Sequence, residues 1–203
     1  IWDNSVSMDP EPPPDPEPPP DPEPQPEPMG EPGAVELVAV QDTFADLRTP
    51  DQNYGRLDNV QVGGDGAGGI GRAIYLQFDL GAINGVIESV ELRMHATNSG
   101  EGGTVRPVGS NDWQEGELTW ERRPLVGDMV LAELGQVEAG AEYTWRLEQP
   151  FPAIGQRQSF AVVSQAENGA AFASRESGNE GHRPTLFVRY RQVSPMAGPD
   201  PDG

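Results

Sequence analysis

Ser110–Pro124 reads SNDWQEGELTWERRP and sets Trp113 and Trp120 seven residues apart in a chain that has four tryptophans in all. Ser110, Asn111 and Asp112 form a turn signal, Glu115 and Gly116 an acidic second turn, Leu118–Trp120 a short extended piece, and Pro124 a stop. A segment of this kind is a long crossing between strands, held down by its large side chains.

The sequence on either side supplies the strands to be crossed. Arg72–Leu80 alternates, with Ile74, Leu76, Phe78 and Leu80 on an inward face and Tyr75, Gln77 and Asp79 outward. Glu88–Ala96 repeats the pattern, with Val90, Leu92, Met94 and Ala96 inward and Glu91, Arg93 and His95 outward. Earlier, Val35–Phe44 reads as one strand and Asn59–Gly63 as another. Later come Thr104–Gly109, Met129–Val137, Glu142–Leu147, Gln158–Ser164, Ala170–Ser174 and Thr185–Arg191. Roughly nine or ten short strands without helical periodicity predict an all-β chain, an antiparallel β-sandwich. The long non-hairpin crossings favour jelly-roll-like wiring.

Residues 1–33 hold 13 of the 22 prolines and nine acidic residues with no basic one, including two consecutive EPPPDP repeats at 11–22. Such sequence cannot build a core, and Pro10–Pro28 is expected to be a disordered, semi-rigid polyproline spacer of about 60 Å. Ile1–Met8 would suit the last strand of an upstream domain. The folding unit is expected at 34–195, long enough for one domain that buries about 70% of its unfolded surface, with a second linker starting at 196–203. The formal charge is −20, and setting the nine linker acids aside leaves about −11. That balance argues against nucleic acid, which needs a basic face to release counterions. With no cysteine there is neither disulfide nor thiolate metal site. No apolar run approaches the ~18 residues of a membrane helix.

Catalytic signatures are missing. The run Gly63–Gly71, GGDGAGGIG, lacks the Gly-Lys-Ser/Thr of a phosphate loop, and there is no nucleophile elbow or HExxH motif. His95 and His182 lack paired ligand spacing and read as exposed strand or loop histidines. The loop Asp51–Asp58, DQNYGRLD, offers oxygen ligands suited to a hard cation such as calcium, but it is not an EF-hand loop and its motif favours a solvated turn. Trp113, Trp120 and Trp145 read as structural anchors with indole N–H groups bonded to backbone, in preference to sugar-stacking platforms.

Taken together, Trp113, Glu115, Gly116, Leu118, Thr119, Trp120, Arg123 and Pro124 give W-x-E-G-x-L-T-W-x-x-R-P. The chain also carries Asp42-Thr43-Phe44, Asn53-Tyr54-Gly55, Arg72 leading to Phe78-Asp79-Leu80, Phe172-Ala173-Ser174-Arg175-Glu176 and Pro184–Tyr190. In order and spacing these blocks resemble the DNRLRE domains, which include carbohydrate-binding module family 96, and the likeness covers Val35–Tyr190. One departure is Gln149-Pro150-Phe151-Pro152, which blocks the short helix that family members often place there.

The resemblance implies a secreted, non-catalytic carbohydrate-binding module, monomeric and linked covalently to a polysaccharide-degrading enzyme. A structural or adhesive surface module is the competing class. The resemblance also implies a structural calcium near the junction of the first and last strands, drawn from Asp42, Asn53 and Glu176. Family association with alginate-degrading enzymes favours an acidic polysaccharide over a neutral glucan. Guanidinium groups pair bidentately with uronic carboxylates, which makes Arg56, Arg106, Arg122 and Arg123 the candidate ligand-binding residues, with Tyr54 as an exposed ring.

Overall fold

Alternation along Ile70–Asp79 turns Ile74, Leu76 and Phe78 to one side and Ala73, Tyr75 and Gln77 to the other, yet all six are buried. The computed structural model, which describes residues 31–148 and 157–193, shows why: this strand lies between a sandwich core and a second layer built by the tryptophan crossing.

The strands are β1 (Pro32–Val38), β2 (Gln41–Asp46), β3 (Asn59–Gln61), β4 (Gly63–Gly64), β5 (Ile70–Asp79), β6 (Gly85–Asn98), β7 (Gly100–Pro107), β8 (Ala132–Val137), β9 (Glu142–Leu147), β10 (Arg157–Val163), β11 (Ala171–Ala173) and β12 (Thr185–Gln192). They form two six-stranded sheets. The first runs β1-β12-β6-β11-β3, with β9 also on β6; the second runs β2-β5-β10-β7-β8, with β4 also on β5. Every ladder between them is antiparallel, so the expected all-β sandwich is the architecture found.

Two single strands of the sequence reading are each divided. Val35–Phe44 breaks at Ala39-Val40 into β1 and β2, which belong to different sheets. Buried Ala39 and the backbone bonds of residues 39 and 40 to Pro184 and Gln77 mark the passage from one sheet to the other. Asn59–Gly63 likewise divides into β3 on the first sheet and β4 on the second. β1 begins at Pro32, so the sheet takes in residues that composition alone groups with the linker. The remaining linker, Ile1–Met8, Gln149–Pro152 and 196–203 lie outside the described residues.

The main core fills the space between the sheets. Trp145 meets Phe172 edge-on at 5.4 Å, and its indole N–H donates at 3.3 Å to the carbonyl of Gly103. Since β9 and β7 belong to opposite sheets, this one side chain ties the two layers. A second cluster covers the outer face of the β2-β5-β10 sheet: Ala45, Ala73, Tyr75, Ala161 and Val163 lie beneath Trp113 and Leu118. Each large side chain buried there contributes on the order of 2 kcal/mol.

A polar row across that face docks the crossing. Gln41, Gln77 and Ser159 are register partners on β2, β5 and β10. Gln41 Nε2 donates to Gln77 Oε1 at 2.8 Å, and Gln77 Nε2 donates to Ser159 Oγ at 3.1 Å. The same three residues hold the crossing: Gln41 bonds the Trp113 carbonyl and the Glu115 N–H, Gln77 the Asn111 carbonyl, and Ser159 Oγ the Trp113 indole. Gln77, read from the sequence as solvent-facing, is thus fully buried and satisfied.

Candidate cation and glycan sites

β2 is an edge strand of its sheet, and Asp42 on it shares an inward face with Phe44. The crossing brings Glu115 to this edge. The backbone N–H of Glu115 is held by Gln41, its carbonyl accepts from Asn53 Nδ2 at 2.6 Å, and its Oε2 accepts from the Asp42 N–H at 3.2 Å. Close approach is possible because the facing residue is Gly55: a Cβ there would lie 2.6 Å from both the Glu115 carbonyl oxygen and its Cγ. From the other direction, the turn after β11 delivers Arg175 and Glu176, fixed by Ser174 Oγ, which donates to the Leu57 carbonyl and accepts from the Glu176 N–H.

Asp42, Glu115 and Glu176 therefore present carboxylate oxygens that all lie within 4.8 Å of one another, a grouping able to hold a metal ion. One guanidinium is set among them: Arg175 Nε is 2.7 Å from Glu176 Oε1 and 3.1 Å from Glu115 Oε2. Three carboxyl groups gather around this one guanidinium, and two buried oxygens, Asp42 Oδ1 and Glu176 Oε2, have no hydrogen-bond partner among the described residues. Burial pushes the Asp42 carboxyl up to about 8, against the opposing Arg175 N–H and with reinforcement from the charges of Glu176 and Glu115. Burial likewise raises the Glu115 carboxyl above its ordinary range. Orphaned buried oxygens and a pure oxygen donor set fit a hard divalent cation.

Of the metal ligands expected from the sequence, Asp42 and Glu176 are brought together. Asn53 stands behind them, its Nδ2 bonded to the carbonyls of Glu115 and Leu118 and its Oδ1 accepting from Gly55 N–H. It positions the third carboxylate, Glu115. That residue sits inside the W-x-E-G block but gives no sign in sequence that it would turn toward Asp42, 73 positions away.

The expected glycan-contacting residues are spread over neighbouring loops and one strand. Tyr54 is half-buried, with one ring face stacked on Phe44 at 4.3 Å and its hydroxyl 2.6 Å from Thr49 Oγ1. Arg123 covers the Trp120 ring at 3.6 Å and donates to the Trp120 carbonyl. Arg56 and Arg122 are exposed, and Arg106 lies half-exposed on β7 with Nε bonded to Thr104 Oγ1. None of these four arginines has a carboxylate partner among the described residues. The indole of Trp113 finds a side-chain hydroxyl and that of Trp145 a backbone carbonyl. His95 and His182, far apart in sequence, stack face to face at 3.5 Å. Burial, then the neighbouring His182, lowers the His95 pKa.

Comparison with known proteins places this β-sandwich in a family. The sequence pattern of carbohydrate-binding module family 96 matches residues 33–190, and the chain belongs to that family. The folded unit is accordingly a binding module in its own right, not a catalytic one. It is also 30% identical over 176 residues to a gellan lyase from a Bacillus species, a match that takes in 79% of this chain and 7% of the lyase. Among the described residues no helix is long and apolar enough to cross a membrane.

Proposed function

We propose that this chain is the glycan-binding module of a secreted polysaccharide-degrading enzyme, that it grips an acidic polysaccharide such as alginate, and that calcium completes its acidic cluster. The observation that carries the reading is family membership across the sandwich, joined to a likeness that occupies only a small part of a polysaccharide lyase. Arg56 and Arg122, exposed and without ion-pair partners among the described residues, support the acidic ligand, because an unpaired guanidinium keeps its planar fork available to a carboxylate. The chain's formal charge of −20 repels a polyanion at long range. Screening over about 8 Å at physiological salt lets a local group of arginines prevail.

The calcium role is structural. Asp42, Glu115 and Glu176 would hold the ion, joining β2, the crossing and the turn after β11. An ion that binds only the folded state stabilises it by mass action.

Affinity electrophoresis in gels containing alginate, pectin, gellan or laminarin tests the ligand class. Retardation by the anionic gels, weakened by added salt and by the Arg122→Ala, Arg123→Ala double change, is the expected result. Retardation by laminarin alone overturns the acidic-ligand reading in favour of a neutral glucan. Retardation by none of them favours a structural or adhesive module.

A further inference from the structure

At the far end of the first sheet, the outward side chains of β11 are only those of Ala171 and Ala173, and the residue two before Ala171 is Gly169. None of the three stands up from the surface. Gly169 has no room for more, since a Cβ there would fall 1.9 Å from the Val62 carbonyl oxygen. Longer side chains rise on both sides, leaving a groove of about 440 Å³, within the range of ligand sites.

One wall is pre-ordered. Arg72 NH1 donates to Gln61 Oε1 at 2.6 Å, and Gln61 Nε2 donates to Asn59 Oδ1 at 3.2 Å. The chain of bonds fixes which way each amide faces, and Arg72 has no carboxylate partner among the described residues. Across the groove, Asn98 and Asn168 are exposed, and their side-chain amides have no hydrogen-bond partner among the described residues. Glu167 stands beside them. Among the described residues, no aromatic ring lines the groove.

We infer that this groove is a saccharide subsite, in which Asn98 and Asn168 pair with ring hydroxyls and Arg72 faces a sugar carboxylate. The inference rests on the glycan-binding reading and gives it a place. A carboxamide offers a donor and an acceptor side by side, which matches the vicinal hydroxyls of a sugar ring. The guanidinium adds preference for an acidic sugar, while Glu167 accepts from hydroxyls and disfavours a second carboxylate next to it. Recognition here is by hydrogen bonding alone, so it depends on a floor of small residues that lets the sugar edge reach the amides.

The test uses the full chain with sodium alginate, gellan and laminarin as probes, comparing wild type with an Asn98→Ala, Asn168→Ala double variant and with Arg72→Gln. Because the side chains of Asn98 and Asn168 hold nothing else among the described residues, the double variant should melt with wild type while its binding falls on the order of tenfold, as expected for two lost neutral hydrogen bonds. Arg72→Gln should weaken binding to the anionic gels and flatten its salt dependence. Binding by the double variant within about twofold of wild type overturns the subsite and leaves the glycan reading standing. No retardation of wild type by any probe overturns both, and retardation by laminarin alone overturns the role given to Arg72.

Discussion

The backbone N–H of Arg175 donates a 2.7 Å hydrogen bond to Asp42 Oδ2, joining residues 133 positions apart. Arg175 NH1 adds a 2.7 Å bond to the Val40 carbonyl, so the turn after β11 is clipped to the free edge of β2. Glu115 reaches the same edge from the crossing. Three separate parts of the chain thus converge on one carboxylate pair and its neighbour, which makes the cluster a lever on stability as well as a candidate cation site.

Its protonation gives a signed pH dependence. The Asp42 carboxyl is raised from 3.8 to about 8 by burial. Between those values the folded chain keeps a proton that the unfolded chain has lost, so this group's contribution is full below the lower value and is lost as pH rises through the upper one. Without divalent metal, Tm of the wild type relative to Asp42→Asn should fall from about pH 5 to about pH 8. Calcium should restore it at the upper end, with proton release. A Tm difference that stays flat across this window would contradict the protonation assigned to Asp42.

Glu115→Gln keeps the size and most hydrogen-bonding capacity of the side chain while removing one charged ligand. Cation affinity depends on ligand charge, so the calcium-induced rise in Tm should shrink by more than about half. Asn53→Ala should act in the same direction without touching a ligand oxygen, because it frees the Glu115 and Leu118 carbonyls. Calorimetric titration of both variants is the measurement, and undiminished calcium binding by Glu115→Gln would remove Glu115 from the site.

The sheet strands were legible because their alternation is regular: Glu88–Ala96 places Val90, Leu92, Met94 and Ala96 in the core as read. β5 was half legible. Its polar outer residues signalled solvent, but Gln77 faces a second layer, and its partners, the Asn111 carbonyl in that layer and Ser159 Oγ on the neighbouring β10, lie distant in sequence. The break at Ala39-Val40 was invisible because both flanks are strand-like and only the tertiary ladder assigns them to different sheets. At the acidic site, Asp42 and Glu176 could be named from ordered sequence blocks. Glu115 could not be separated from many other acids, since its role depends on the edge position of β2 and the space left by Gly55.

Trp145 offers a test of the link between the sheets. Trp145→Phe retains most of the apolar contact with Phe172 but withdraws the donor from the Gly103 carbonyl. An unpaired buried acceptor costs about 1–3 kcal/mol, and a protein of this size loses about 2–4 °C in Tm per kcal/mol. A drop of at least about 2 °C is expected. An unchanged Tm would mean that the carbonyl finds another partner and that the bond is not what ties the layers.

Gln77→Leu tests whether the crossing and the cation site are one mechanical unit. Leucine nearly fills the same space, so the core beneath is kept, but the Asn111 carbonyl, Gln41 Nε2 and Ser159 Oγ each lose a partner. Gln41 then orients less firmly, and it is Gln41 that holds the Glu115 N–H and the Trp113 carbonyl. The crossing should therefore loosen at its Trp113 end, with the indole more open to acrylamide quenching. Calcium affinity should fall even though no ligand has changed. Circular dichroism should still report an intact sandwich, since the inward face of β5 is untouched. Greater quenching with undiminished calcium affinity would show that Glu115 is positioned by Asn53 and Asp42 alone, and that the polar row serves packing only.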